Sequence, residues 1–188
     1  YLIDNIDLAF EVWRKYPWNR NLPFDDFCEL ILPYRIADEP LSDWRKLYYE
    51  DYGTLLDSLY KGDDVIEASK IIDGKLRKLY YIYNTDFRVP HLNAVFLYHN
   101  RIGYCREACD LTIYAMRACG IPVATDYFVY SPDYQHYHCW TMLRDTTGTF
   151  LQFGFNEFEA SRDSSRHEGK KKGKVYRYCF GVQPEKIS

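Results

Sequence analysis

The chain has 188 residues, 47% of them hydrophobic and 27% charged, which is typical of a globular protein of one domain or a domain with a helical preface. Its net charge of −3 offers no basic surface for nucleic acid, and no run of about 18 apolar residues predicts a membrane span. The six cysteines form no CxxC pair, which argues against a zinc ribbon or a disulfide scaffold. We therefore expect mostly buried thiols, no cofactor and no metal.

The first half of the sequence has the periodicity of helices. Apolar residues recur at helical spacing, and prolines or capping residues bound each run. Ser42 and either Asp63 or Asp64 are expected to be N-caps. The predicted helices cover 2–17, 23–33, 42–59 and 63–80. Their apolar stripes are typical of core, so residues 1–84 are predicted to form a helical N-terminal region without catalytic groups.

The second half changes to one helix followed by strands. The helix runs from Cys105 to Cys119, and Gly120 and Pro122 end it. Runs rich in β-branched and aromatic residues predict strands over 123–130, 137–143, 149–155 and 175–180. The run Lys170 to Lys174 is interpreted as a solvated loop. The predicted fold class is therefore α+β, with a core domain of one helix on an antiparallel sheet over residues 85–188.

Cys105 is the first candidate for chemistry. It follows Gly103-Tyr104 at the start of the predicted helix, where unpaired N–H groups and the helix dipole favour a thiolate. The thiolate is the nucleophilic form of cysteine. The backbone N–H of Cys105 would also be free to donate to a developing oxyanion.

His138 is the second candidate, on the strand that contains Tyr137-His138-Cys139-Trp140. Alternation places His136, His138 and Trp140 on one face. A turn centred between residues 146 and 147 would bring Phe155 opposite His138, give or take one residue. Asn156 and Glu157 are then the polar side chains expected to orient the imidazole.

These motifs resemble the transglutaminase-like superfamily, whose fold is papain-like. Its members carry a G-x-C that opens a helix, a G-I-P at the helix end and an H-x-W on a strand. Here the three motifs are Gly103-Tyr104-Cys105, Gly120-Ile121-Pro122 and His138-Cys139-Trp140, and the resemblance covers about residues 85 to 160. The preface, with Phe24-Asp25-Asp26-Phe27 and Leu32-Pro33-Tyr34-Arg35, is similar to secreted transglutaminase-like proteins of gut bacteria.

The resemblance implies a cysteine protease or amidase in which Cys105 is the nucleophile and His138 the base. Such an enzyme transfers or hydrolyses acyl groups of peptide or glycopeptide amides through a thioester. The family usually has an Asp near the position of Gly154, so we expect Asn156 to complete the triad, with Glu157 as the alternative. The rival hypothesis is a catalytically inactive module that binds peptide or glycan.

Other residues stay open as alternatives. His136 shares the face of His138, and the resemblance places a side-chain oxyanion donor in the region that holds His91, His99 and Asn100. Cys109 follows Cys105 by one helical turn, a weak pattern for a metal site. The resemblance also implies a periplasmic or extracellular location, and the sequence leaves the oligomeric state unknown.

Overall fold

The structure of the chain is a computed structural model that describes residues 1–86, 89–130, 137–155, 157–163 and 173–181. It combines helices with a four-stranded antiparallel sheet, which confirms the predicted α+β class. Seven α-helices lie in these ranges: α1 Leu2–Lys15, α2 Phe24–Leu30, α3 Arg45–Tyr48, α4 Thr54–Leu59, α5 Val65–Leu76, α6 Ala94–Asn100 and α7 Cys105–Ala118. Six strands lie there too: β1 Ile82–Tyr83, β2 Ile102–Gly103, β3 Val123–Phe128, β4 His138–Arg144, β5 Phe150–Phe153 and β6 Val175–Arg177.

The main sheet has the order β5-β4-β3-β6, and α7 packs against β3 and β4. Nearly every residue of α7 is buried, so the helix runs through the middle of the molecule. At its end Gly120 has a φ of 63°, and an added Cβ would lie 2.9 Å from the carbonyl oxygen of Val12. Only glycine fits this left-handed position beside α1. The C-terminal end of α7 therefore packs closely against α1.

The N-terminal helices surround α7, and their apolar faces join its own in one core cluster. Arg45 is buried within that core, where its guanidinium donates to Asn5 Oδ1 at 2.8 Å and to backbone carbonyls, including that of Arg117 at 3.0 Å. A buried charge needs such partners. The boundary between 1–84 and 85–188 remains a prediction. No helix in the described ranges is both long and apolar enough to cross a bilayer.

Two helix boundaries differ from the sequence predictions. Ser42 is not an N-cap, because the helix begins at Arg45 after Trp44, and a π-helical turn over Tyr49–Gly53 joins α3 to α4. The stripe predicted to reach Tyr80 ends with α5 at Leu76, and Tyr80 is largely exposed. Asp64 is the N-cap of α5, as one of the two alternatives predicted, and accepts from Ile66 N–H at 2.9 Å.

The hairpin of β4 and β5 has a register one residue away from the predicted one. Thr141 pairs with Phe153, whereas a turn centred between 146 and 147 would have paired it with Gln152. The cause is the side chain of Asp145, whose Oδ1 accepts from the N–H groups of Thr147 and Thr149 at 2.8 and 3.0 Å. These bonds centre the turn on Thr147 and make it a three-residue loop.

Candidate active site

Cys105 is the first residue of α7 and is only 6% exposed. The chain before it is held tightly: Tyr104 N–H donates to Glu107 Oε2 at 2.9 Å, a reciprocal contact across the first turn. Gly103 has a φ of 149°, and an added Cβ would lie 2.3 Å from Cβ of Glu107. Glycine at this position therefore lets Glu107 close the N-terminal turn and fixes the direction of the Cys105 side chain.

The surroundings of Cys105 stabilise its thiolate. A hydrogen bond with the Cys139 thiol, a hydrogen bond with His138, the backbone of Cys139 and the charge of His138 together lower the pKa of Cys105 to about 5, although burial opposes them. The same contact with Cys105, with help from Cys109 and burial, raises the pKa of Cys139 well above the ordinary range of a thiol. The contact therefore favours the thiolate at Cys105 and the thiol at Cys139.

His138 is the first residue of β4 and faces the thiol from the sheet. Burial lowers its pKa, but a hydrogen bond with Cys105, the contact with Glu157 and the charges of both outweigh burial and raise the pKa to about 9. The ring of Phe128 lies beside the imidazole, with centroids 5.9 Å apart. Between about pH 5 and pH 9 the favoured state is thus a thiolate paired with an imidazolium.

Glu157 is the described carboxylate nearest the other side of the imidazole. Its Oε1 lies 3.3 Å from Nε2 of His138, and the two side chains are 30% and 18% exposed. After β5 the chain turns, with Gly154 N–H donating to Phe158 O and Glu157 N–H to Gly154 O, and this turn brings Glu157 back to the site. The contact is an ion pair; within the described residues Nε2 has no partner in hydrogen-bonding geometry.

Asn156, the predicted third member of the triad, lies outside the described residues. Glu157, its predicted alternative, is the side chain that the structure places at Nε2. Glu157 comes three residues after Gly154, so its carboxylate lies in the turn beyond β5. The predicted alternative His136 also lies outside the described residues.

A cavity of about 400 Å³ opens in front of the thiol. Glu157 is the charged residue in its lining, and the remaining walls are largely aromatic or small. Tyr81 is fixed there by a hydrogen bond from its hydroxyl to Tyr104 O at 3.2 Å. Tyr83 is half-exposed at the opening, on the short parallel pair that β1 forms with β2 beside Gly103. An extended, partly apolar group can therefore reach the thiol.

The remaining histidine candidates lie away from this cavity. His99 is exposed near the end of α6 and does not line the cavity. His91 is buried, and its Nδ1 lies 2.8 Å from Asp110 Oδ2, so it ties the segment before α6 to α7. Within the described ranges no group of three or more His, Cys, Asp or Glu side chains is arranged to hold a metal ion.

Sequence reasoning missed three residues of the site. Tyr81 and Tyr83 were not singled out, although the run Tyr80-Tyr81-Ile82-Tyr83 has the aromatic and β-branched composition that is enriched in strands. Cys139 was expected only to be one of the mostly buried thiols. It is buried, but it also lines the cavity next to Cys105, a contact that depends on how the helix lies on the sheet.

The structure is similar to solved structures of bacterial proteins. One is a "putative cysteine protease" from Cytophaga hutchinsonii, with 16% identity over 74% of this chain and 50% of that one, and a TM-score of 0.46. Another is the periplasmic domain of TgpA from Pseudomonas aeruginosa, with 15% identity over 62% of this chain and 44% of that one, and a TM-score of 0.47; its complex with ethylmercury gives 14% and 0.46. The chain thus spans half or less of the length of these structures. No family model matches the chain, and no curated protein matches it by sequence.

Proposed function

We propose that the chain catalyses cysteine-dependent acyl transfer or hydrolysis on peptide or glycopeptide amide bonds. The observation that carries this proposal is the hydrogen bond between His138 and Cys105, which lines the cavity, with the thiol pKa lowered and the imidazole pKa raised. A perturbation of both groups in opposite directions is what an activated thiolate needs at neutral pH.

In the first step the Cys105 thiolate attacks the amide carbonyl carbon, and a carbon–sulfur bond forms as the carbonyl π electrons move to oxygen. The N–H of Cys105 lies in the first turn of α7, where N–H groups have no acceptor within the helix, and it donates to that oxygen. His138 then gives its proton to the leaving nitrogen, the carbon–nitrogen bond breaks, and a thioester remains on Cys105.

In the second step water or another amine attacks the thioester. Neutral His138 takes a proton from the attacking group, and the Cys105 thiolate leaves with the electrons of the carbon–sulfur bond. Glu157 acts as a positioning residue: its carboxylate favours the imidazolium and fixes which ring nitrogen faces the thiol. Attack by water gives hydrolysis, and attack by an amine gives transfer. The enzyme would be a transglutaminase-like protease or amidase.

Substrate class and location follow from the sequence resemblance. A peptide or glycopeptide fits a cavity whose walls include Tyr81, Tyr83 and Trp140, since aromatic rings contact both apolar side chains and sugar faces. A periplasmic or extracellular location is part of the same proposal.

The experiment is to trap the acyl-enzyme. The protein is mixed with an activated acyl donor, p-nitrophenyl acetate, quenched in acid, digested and mapped by mass spectrometry. We expect the acetyl group on Cys105 and its loss in Cys105→Ala, while the matched variant Cys109→Ala keeps it. When a primary amine is added, part of the thioester should react with water and part should be transferred to the amine. If Cys105 acquires no acyl group, the rival hypothesis of an inactive binding module is the better account.

A further inference from the structure

Cys139 is the buried thiol that the proposed mechanism does not use, although it lies next to the nucleophile. It is 3% exposed and lines the same cavity as Cys105. All six cysteines are free thiols in the structure. A second thiol in contact with an activated thiolate has a chemistry of its own, because the two can be joined by oxidation.

The packing of α7 on β4 places the two thiols opposite each other. Cys109 Sγ lies 3.3 Å from Thr141 Oγ1, so this pair of residues marks where the helix meets the strand. One step back along the helix, four residues or about 6 Å, leads to Cys105 on the same face. One step back along the strand, two residues or about 6.7 Å, leads to Cys139 on the same face. The two steps are similar in length, so Cys105 lies opposite Cys139 in the same way that Cys109 lies opposite Thr141.

We propose that Cys105 and Cys139 form a peroxide-responsive pair, in which Cys105 is oxidised to a sulfenic acid and Cys139 resolves it as a reversible disulfide. The pair would be a modification site that switches off the thiolate and protects it. The inference rests on the reactivity of Cys105 in the proposed function, but it needs no amide substrate.

The chemistry balances with hydrogen peroxide as the oxidant. The Cys105 thiolate attacks one peroxide oxygen, a sulfur–oxygen bond forms, the oxygen–oxygen bond breaks, and the leaving hydroxide takes a proton to become water. The Cys139 thiol then loses its proton and attacks the sulfur of the sulfenic acid. A sulfur–sulfur bond forms, the sulfur–oxygen bond breaks, and a second water leaves. Two thiols lose two electrons and one peroxide becomes two waters.

The order of these steps follows from the charges at the site. While Cys105 is a thiolate, its hydrogen bond and charge are among the causes that hold the proton on Cys139, so Cys139 is not the first thiol to react. Conversion of Cys105 to a neutral sulfenic acid removes that negative charge. The same change makes Cys105 an electrophile, so Cys139 becomes easier to deprotonate when its partner is ready to be attacked.

The test uses the purified, reduced protein and hydrogen peroxide near one equivalent. Remaining thiols are blocked with N-ethylmaleimide, and the digest is mapped without reduction. We expect a linked pair of peptides containing Cys105 and Cys139. Labelling of Cys105 by iodoacetamide should fall by at least about tenfold and return after dithiothreitol, because a disulfide sulfur is not alkylated.

Variants separate this switch from simple oxidation. In Cys139→Ser the linkage cannot form, so a second equivalent of hydrogen peroxide should oxidise the Cys105 sulfenic acid to the sulfinic acid, a gain of two oxygen atoms over the thiol that dithiothreitol does not reverse. Cys109→Ser is the matched control and should still give the Cys105–Cys139 linkage. The wild-type map needs no variant to fold.

A linkage of Cys105 to Cys109, or direct conversion of wild-type Cys105 to sulfinic acid, would overturn the inference. Its failure is distinguishable from failure of the proposed function. A chain that forms the thioester but not the disulfide refutes the switch alone, and a chain that forms the disulfide but not the thioester refutes the acyl-transfer proposal alone.

Discussion

Replacing Glu157 by glutamine should lower the pKa of His138 by about one unit. Glu157 Oε1 lies 3.3 Å from Nε2 of His138, and its negative charge favours the protonated ring. Two charges about 4 Å apart interact by about 1 kcal/mol in water and about 4 kcal/mol at an effective dielectric constant of about 20. Since both side chains are partly exposed, we take a value near the lower end, about 1.4 kcal/mol, which corresponds to one pKa unit.

The sign follows from the charge. The carboxylate stabilises the imidazolium, so its removal lets the proton leave at lower pH, and the pKa should fall from about 9 to about 8. The Cys105 thiolate should be little affected near pH 6, because His138 is still protonated there in the variant.

The assay is an NMR titration of histidine side chains, with His138→Ala to assign the resonance. Glu159→Gln is the matched control, because Glu159 is an exposed side chain two residues after Glu157 and the substitution removes the same charge. An unchanged His138 pKa in Glu157→Gln would refute the role of Glu157. It would return the orienting role to Asn156, the residue that the sequence analysis favoured.

Two further substitutions test how the site is supported. Gly103→Ala should lower the free energy of unfolding by about 1–3 kcal/mol and slow labelling of Cys105, because the new Cβ collides with Glu107 in a strained conformation. Urea unfolding measures the change in stability, and Gly74→Ala is the control: its Cβ meets nothing within 4 Å, so it should be neutral or stabilising. Arg45→Ala should lower the free energy of unfolding by about 3–5 kcal/mol in the same assay, because several buried oxygens lose their donor. Arg20 is exposed, so Arg20→Ala is the control and should change stability little. If either variant and its control had equal effects, the packing described would be contradicted.

Much of the fold could be predicted from the sequence because its signals are local. The α7 helix begins at Cys105, as the motif predicted, and Gly120 follows its end in a left-handed conformation. Runs rich in β-branched and aromatic residues identified the strands of the main sheet to within a few residues. Such signals depend on neighbours in sequence, so tertiary packing seldom overrides them.

The parts that could not be predicted depend on contacts distant in sequence or on side-chain bonds within turns. The hairpin register depended on Asp145, whose carboxylate centres the turn on Thr147. The parallel pair of β1 and β2 brings Tyr83 next to Gly103, and two-residue strands have too little periodicity to be recognised. The proximity of Cys139 to Cys105 required the position of a helix on a strand, which no sequence pattern encodes.

The thiolate of Cys105 is the central claim, and brief treatment with substoichiometric iodoacetamide near pH 6 tests it most directly. With a pKa of about 5, Cys105 is about 90% ionised there, whereas an ordinary thiol of pKa about 8.5 is about 0.3% ionised. The lower nucleophilicity of a more acidic thiolate reduces this advantage to about tenfold. Cys179 is the exposed competitor, and burial and the charge of Glu29 raise its pKa.

Mass spectrometry of the digest identifies the labelled residue. The account predicts that Cys105 is labelled first in the native protein, and that His138→Ala slows this labelling by about tenfold because the cationic partner is lost. Labelling of Cys179 ahead of Cys105, or equal slow labelling of all six cysteines, would contradict the account.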